Sequence, residues 1–287
     1  MKRAIEIIRS PHAGYCFGVK RAMRLIEQGL ADYGAPIYTL GDVIHNPPEV
    51  ERLRSRGVRS VASAAEVPEG GVLVLRAHGV HPDLLREAER RRIRVLDATC
   101  PFVQRSQQFA GRFGEEGRRV VIIGDPEHPE VRAVAGHAGG GALIVRNPEE
   151  AAVVGPLDRA GVVIQTTFPR DEAEIVIRAL RGRISDLLVN DTICEATEAR
   201  REAALALARR VDIVLVIGGR NSSNTRRLLE VCAGAGVDSR LVESPEEIDP
   251  SWFDGIERIG ITTGTSTPDW LIDAVLARLD AIPRETP

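Results

Sequence analysis

Two short stretches, Asp97-Ala-Thr-Cys-Pro101 and Asp191-Thr-Ile-Cys-Glu195, each place one cysteine shortly after an aspartate in a chain with four cysteines. None of Cys16, Cys100, Cys194 and Cys232 belongs to a C-x-x-C pair. So few thiols, so widely separated, do not make a disulfide framework; they read as reduced thiols, available for metal binding or catalysis. Cys16, Cys100 and Cys194 fall at roughly equal intervals. A polar cluster follows at a similar distance after each, at His45, His128 and Ser223, and a second one later, at His78, Thr166 and Ser266. Three convergent thiolates suit a soft metal centre. With a fourth protein ligand they would close a tetrahedral zinc site. They could equally hold three irons of a 4Fe-4S cluster and leave the fourth iron open. Spacing alone does not choose between zinc and iron. Cys232 sits among apolar neighbours in the helical stretch LLEVCAGAG and reads as a small buried hydrophobe. Asp97 and Asp191 read as formers of the turns that present the cysteines.

The remaining polar residues narrow the chemistry. His45, His78, His128, Thr166, Ser222, Ser223, Asn224 and Ser266 are neutral or cationic hydrogen-bond donors, a set that suits a multiply charged anion such as a diphosphate. Glu130 is the carboxylate among them, and a partly buried Glu can deliver a proton. A metal, an anion pocket and one acid imply redox or Lewis-acid chemistry on a phosphorylated small molecule. A zinc phosphate-ester hydrolase using Glu130 as base, and a non-catalytic binder of phosphorylated metabolites, fit the same residues. His12, His81 and His137 read as structural.

These side chains need elements to hold them. Apolar, β-branched runs recur: AIEIIR near residue 4, VLVLRA at 72, RVVIIG at 119, GVVIQTT at 161, DIVLVIGG at 212 and RIGITTG at 258. Such runs predict strands buried on both faces. Helical spacing covers 17–33, 103–116, 171–181, 195–210 and 268–280, with Thr267 as N-cap and Pro268 at the first helical position. Strand and helix in alternation predict parallel α/β sheets. The polar clusters follow directly on the strands, where ligands bind in open parallel sheets. The order of cysteine, helix and two polar loops occurs three times. The expected fold is therefore three small parallel-sheet α/β domains in a pseudo-threefold arrangement, one inward-pointing cysteine each. Their bounds are 17–98, 99–193, and 194–282 together with the N-terminal strand 1–16. The tail after Asp280 is expected to be loose.

Composition sets outer limits. The chain is long enough for a sizeable core, and its 43% hydrophobic and 28% charged residues are ordinary for a soluble globular protein. A net charge of −3 argues against a general nucleic-acid binder. No apolar run approaches the ~20 residues of a membrane span. The basic N-terminus has too short an apolar segment for a signal peptide and reads as a strand. The Arg runs at 86–94 and 200–210 read as solvated helix faces, or as docking patches for an acidic partner.

Nine stretches in order, taken together, resemble the IspH/LytB family of 4-hydroxy-3-methylbut-2-enyl diphosphate reductases. They are Gly14-Tyr-Cys-Phe-Gly-Val-Lys20, Val43-Ile-His-Asn46, Arg76-Ala-His-Gly79, Asp97-Ala-Thr-Cys-Pro101, His128-Pro-Glu130, Gln165-Thr-Thr167, Asn190-Asp-Thr-Ile-Cys194, Asn221-Ser-Ser-Asn224 and Gly264-Thr-Ser-Thr-Pro268. The resemblance implies three α/β domains around a central 4Fe-4S cluster held by Cys16, Cys100 and Cys194. It implies reductive removal of the allylic hydroxyl of 4-hydroxy-3-methylbut-2-enyl diphosphate, giving isopentenyl and dimethylallyl diphosphate, the last step of the non-mevalonate isoprenoid pathway. His45, His78, His128, Ser222, Ser223, Asn224 and Ser266 would then bind the diphosphate. Glu130 would deliver the proton, and Thr166 would contact the substrate alcohol and relay it. A ferredoxin or flavodoxin would supply electrons to a cytoplasmic monomer.

Overall fold

The computed structural model describes residues 5–282, so the last five residues of the tail expected to be loose lie outside the described residues. The first third of the chain runs β1 (Glu6–Arg9), α1 (Phe17–Tyr33), β2 (Ile37–Leu40), α2 (Pro47–Ser55), β3 (Val58–Val61), β4 (Val72–Leu75), α3 (Pro82–Arg90) and β5 (Arg94–Asp97). The middle runs α4 (Pro101–Glu115), β6 (Arg119–Ile123), α5 (Pro129–Gly136), β7 (Ala142–Val145), α6 (Pro148–Ala152), β8 (Leu157–Ile164), α7 (Arg170–Arg181) and β9 (Ile184–Asn190). The last third runs α8 (Glu195–Ala208), β10 (Ile213–Ile217), α9 (Ser223–Gly234), β11 (Asp238–Val242), β12 (Arg258–Thr263) and α10 (Asp269–Asp280).

Among the described residues the strands form three four-stranded sheets, ordered β3-β2-β4-β5, β7-β6-β8-β9 and β1-β12-β10-β11. Every pairing is parallel. Parallel neighbours need crossovers, and the amphipathic helices between strands supply them. The alternation of side chains then gives each sheet two faces. In the β7-β6-β8-β9 sheet, Val121, Ile123, Val162 and Ile164 pack with Ala173, Val176 and Leu180 of α7. Val120, Ile122 and Val163 face the other way, onto Ala110 and Phe113 of α4 and Val131 and Val134 of α5. In the β1-β12-β10-β11 sheet, Ile213, Leu215 and Ile217 pack with Leu271, Ile272 and Val275 of α10, and Val214 and Val216 with α8 and α9.

The chain divides into two compact units. The first takes the residues up to Lys20, Ile44–Arg56 and those from Glu195, and so holds the β1-β12-β10-β11 sheet. It also takes α2, which lies between β2 and β3 in the chain. The second takes Arg21–Val43 and Gly57–Cys194, and so holds the other two sheets.

Two local expectations are corrected. Thr267 does not cap α10: its hydroxyl donates to the Ile217 carbonyl at 2.8 Å, and the cap position falls on Pro268. The hydroxyl is fully buried, and the carbonyl at the end of β10 is the acceptor within reach. The run at 200–210 is not a wholly solvated face, because Arg200 is buried.

Packing inside the second unit is close enough to exclude a methyl group. A Cβ on Gly161 of β8 would lie 2.2 Å from the Phe113 ring. Gly161→Ala is expected to destabilise the fold by about 1–3 kcal/mol in urea unfolding, the usual cost of overpacking. Gly155→Ala, where an added Cβ meets nothing within 4 Å, serves as the control and should change little.

Candidate functional site

In the second unit the polar residues form one bonded series. The Asp97 carboxylate accepts from the Thr99 amide at 2.8 Å, fixing the turn before Cys100. Cys100 is the N-cap of α4, and its amide donates to the Ala77 carbonyl at 3.0 Å, next to His78. The His78 and His128 rings meet edge to face, with centroids 5.5 Å apart. His128 caps α5, its Nδ1 accepting from the Glu130 amide at 3.2 Å. Glu130 is 2% exposed, and both carboxyl oxygens are taken by Thr166: the amide donates to Oε1 at 2.6 Å and the hydroxyl to Oε2 at 2.7 Å. The Thr166 carbonyl accepts from the Cys194 amide at 2.9 Å. Asp191 repeats the role of Asp97, accepting from the Ile193 amide at 3.1 Å. The two aspartates thus shape cysteine turns, as their sequence positions suggested.

Burial pushes the Glu130 carboxyl up to about 7, and the two Thr166 donors, which favour the charged form, only partly oppose it. A carboxyl raised this far exchanges its proton close to neutral pH. Arg76, two residues before His78, has its guanidinium pKa lowered by burial and then by the nearby charge of Arg132.

In the first unit the loops interlock similarly. The Cys16 amide donates to the Thr265 carbonyl at 3.1 Å, beside Ser266. A Cβ on Gly219 would lie 2.4 Å from the His45 carbonyl oxygen, so glycine allows the turn after β10 to approach the segment that begins α2. The Ser222 amide donates to the Gly219 carbonyl at 3.0 Å, and its hydroxyl caps α9 by accepting from the Thr225 amide at 3.3 Å. Ser223 and Asn224 thereby stand in the first turn of α9, and a helix N-terminus favours an anion. Asn224 is 3% exposed and its amide nitrogen has no hydrogen-bond partner, a buried donor that costs free energy until an acceptor arrives.

Two residues of this unit escaped sequence reasoning. Arg200, 4% exposed, donates to the carbonyls of Gly14 at 2.9 Å, Thr263 at 3.0 Å and Gly264 at 3.4 Å, and to the Thr263 hydroxyl at 3.2 Å. It joins the loop before Cys16 to the loop before Ser266. Glu49, fully buried on α2, accepts from Arg52 and from Trp270. Helical spacing could have revealed both. Arg200 lies one and two turns before the buried Ala204 and Leu207, and Glu49 one turn before Leu53.

Cys16, Cys100 and Cys194 are all half-buried, in no disulfide, and each immediately precedes a helix. Cys232 is fully buried in α9, its sulfur 3.9 Å from the Ala204 carbonyl, and burial pushes its thiol up to about 11. Cys232 is thus the small buried hydrophobe that its neighbours suggested.

Parallel sheets with polar side chains in the loops that follow their strands define an α/β protein of the kind that binds ligands beyond its strand ends. The chain belongs to the LytB family, whose model, described as LytB protein, matches residues 7–280. The 4-hydroxy-3-methylbut-2-enyl diphosphate reductase of Geobacter metallireducens is 41% identical over 278 residues, covering 97% of this chain and 98% of that protein. The reductase of the same name from Aquifex aeolicus is 37% identical over 281 residues, with 97% of each covered. A solved structure of (E)-4-hydroxy-3-methyl-but-2-enyl diphosphate reductase, titled as the terminal enzyme of the non-mevalonate pathway, is similar at TM-score 0.74 and 37% identity, covering 97% of this chain and 100% of that one. The reductase structure from Plasmodium falciparum matches at TM-score 0.90 and 25% identity, covering 97% and 89%.

The Glu130 environment makes a measurable statement. The carboxyl signal lost in Glu130→Gln should titrate near pH 7 in carbon-labelled wild-type protein. Titration in the ordinary range near 4.5 would show that water reaches the group.

Proposed function

We propose that this chain reduces (E)-4-hydroxy-3-methylbut-2-enyl diphosphate to isopentenyl and dimethylallyl diphosphate, the last step of the non-mevalonate isoprenoid pathway. Near-complete coverage by reductases of that name supports the reaction. The observation that carries the chemistry is the buried pair of Glu130 and Thr166, bonded directly to the Cys194 amide.

The three half-buried cysteines fit a soft metal group, and in this reading Cys16, Cys100 and Cys194 hold one 4Fe-4S cluster. When bound, that cluster supplies electrons and a Lewis-acidic iron for breaking the allylic C–O bond. The protein's own residues do the rest. Overall, two electrons and two protons enter and the hydroxyl oxygen leaves as water. Glu130, whose pKa is pushed up to about 7 and which therefore still holds a proton in part of the molecules at neutral pH, gives that proton through the Thr166 hydroxyl that it already touches. Protonated or neutral, His45, His78 and His128 donate to the diphosphate oxygens; Ser222, Ser223 and Ser266 add hydroxyl donors, and Asn224 its unsatisfied amide. Burial of Glu130, Thr166, Ser222, Asn224 and Ser266 keeps stray water from quenching an allylic intermediate.

Each sheet with its helices would make one domain, over 17–98, 99–193, and 194–282 with 1–16. We further assign electron delivery to a ferredoxin or flavodoxin and place a monomeric enzyme in the cytoplasm. Among the described residues no helix is long and apolar enough to cross a membrane.

Anaerobic purification with iron and sulfide analysis, followed by an assay on the hydroxylated diphosphate, tests the reading. About four irons per chain and turnover are expected; a colourless protein with one zinc would replace it with the hydrolase reading. Cys100→Ser should lose iron and activity together. Glu130→Gln should keep iron and substrate affinity but lose turnover on the order of a hundredfold or more. Wild-type turnover should fall as pH rises through about 7, because the acid form is consumed.

A further inference from the structure

Glu49 has no place in the chemistry above, yet it is a fully buried carboxylate. It stands in the first turn of α2, where its amide donates to the Asn46 side chain at 3.1 Å, one residue after His45. Arg52 clamps it from the same helix, Nε to Oε2 at 2.8 Å and Nη2 to Oε1 at 2.7 Å. An exposed pair at this spacing would contribute little. This one is different because Oε2 also accepts from the indole N–H of Trp270 at 2.7 Å. Trp270 opens α10, directly beyond the Ser266 loop. The buried hydroxyl of Tyr15, next to Cys16, lies under the influence of the same carboxylate. Glu49, Trp270 and Tyr15 all belong to the first unit. They lie far apart in the chain, and each sits within four residues of a candidate site residue.

We propose that Glu49 is a positioning residue, which ties the start of α2, carrying His45, to the start of α10, which follows Ser266. The proposal rests on reading His45 and Ser266 as diphosphate-binding groups. A buried carboxylate must be fully paired to be tolerated, and this one has its strong partners on two separate helices. The bond to Trp270 fixes the distance between two segments that no sheet hydrogen bond connects directly. A loop free to shift by even a fraction of an ångström would hold the phosphate oxygens less well.

The test uses iron-loaded protein with inorganic pyrophosphate as the probe, titrated calorimetrically without oxygen, and steady-state kinetics beside it. Trp270→Phe removes the indole donor and leaves the ion pair. The double variant Glu49→Leu with Arg52→Met removes the buried carboxylate together with its half-exposed partner, so that neither charge is stranded and the indole loses its acceptor. Both are expected to raise the pyrophosphate Kd about tenfold and the substrate KM similarly, with kcat changed much less. Iron content should stay at the wild-type level. Pyrophosphate affinity equal to wild type in both variants would overturn the positioning role alone. Iron-loaded wild type that fails to bind pyrophosphate would overturn the diphosphate reading, and this proposal with it.

Discussion

Parallel pairing between central strands sets the position of nearly every functional side chain. In the β7-β6-β8-β9 sheet the register Ile123↔Ile164 continues one step further, as the Gln165 amide donates to the Ile123 carbonyl at 2.8 Å. That last rung holds the backbone leading to Thr166 beside the end of β6, within reach of Glu130 on the helix that follows. The same rung recurs in the β1-β12-β10-β11 sheet, where the Gly264 amide donates to the Ile217 carbonyl at 2.9 Å and so aligns the Ser266 loop with the loop that starts α9. Parallel strands end on the same side, so loops distant in sequence are brought together there without any dedicated contact.

Beyond these rungs, side chains take over from the ladder. His128 and Ser222 each cap the helix that carries their functional neighbours. The caps satisfy amides that the helices leave unpaired, and they also orient the residues of the first turn. Thr166 gives Glu130 two donors but no charge partner, which leaves desolvation as the dominant effect and keeps a carboxylic acid protonated near neutrality. Arg200 and Glu49 act differently. They are buried ions that each bond at least one other segment, so each fixes the relation of loops that the sheet alone would leave adjustable.

The strands readable from the sequence were β1, β4, β6, β8, β10 and β12. Five of these bring unbroken β-branched runs to sheet interiors, while β1 pairs at an edge beside β12. Those that escaped were mostly edges: β3 (VRSV), β5 (RVLD), β7 (ALIV), β9 (ISDLLVN) and β11 (DSRLV) have one neighbour, and all but β7 interrupt their apolar residues with polar ones. β2 (IYTL) is an interior strand whose short run includes Tyr38 and Thr39, so no continuous aliphatic stretch announces it. The short helices α2, α3, α5 and α6 were hidden by their length; nine residues or fewer give barely two turns of periodicity.

The sequence by itself determined the parallel α/β class, the cysteine turns shaped by Asp97 and Asp191, and the polar loops that follow the strands. It did so because each rests on local chemistry: hydrophobic period, turn-forming side chains and position after an apolar run. The tertiary structure alone decided that Glu130 is buried and protonated near neutrality, that Asn224 keeps an unanswered donor, and that Arg200 and Glu49 are internal ties. Burial and partnership depend on which surfaces meet after the sheets form. An arginine or glutamate looks the same in the sequence whether its charge faces water or closes a gap between two loops.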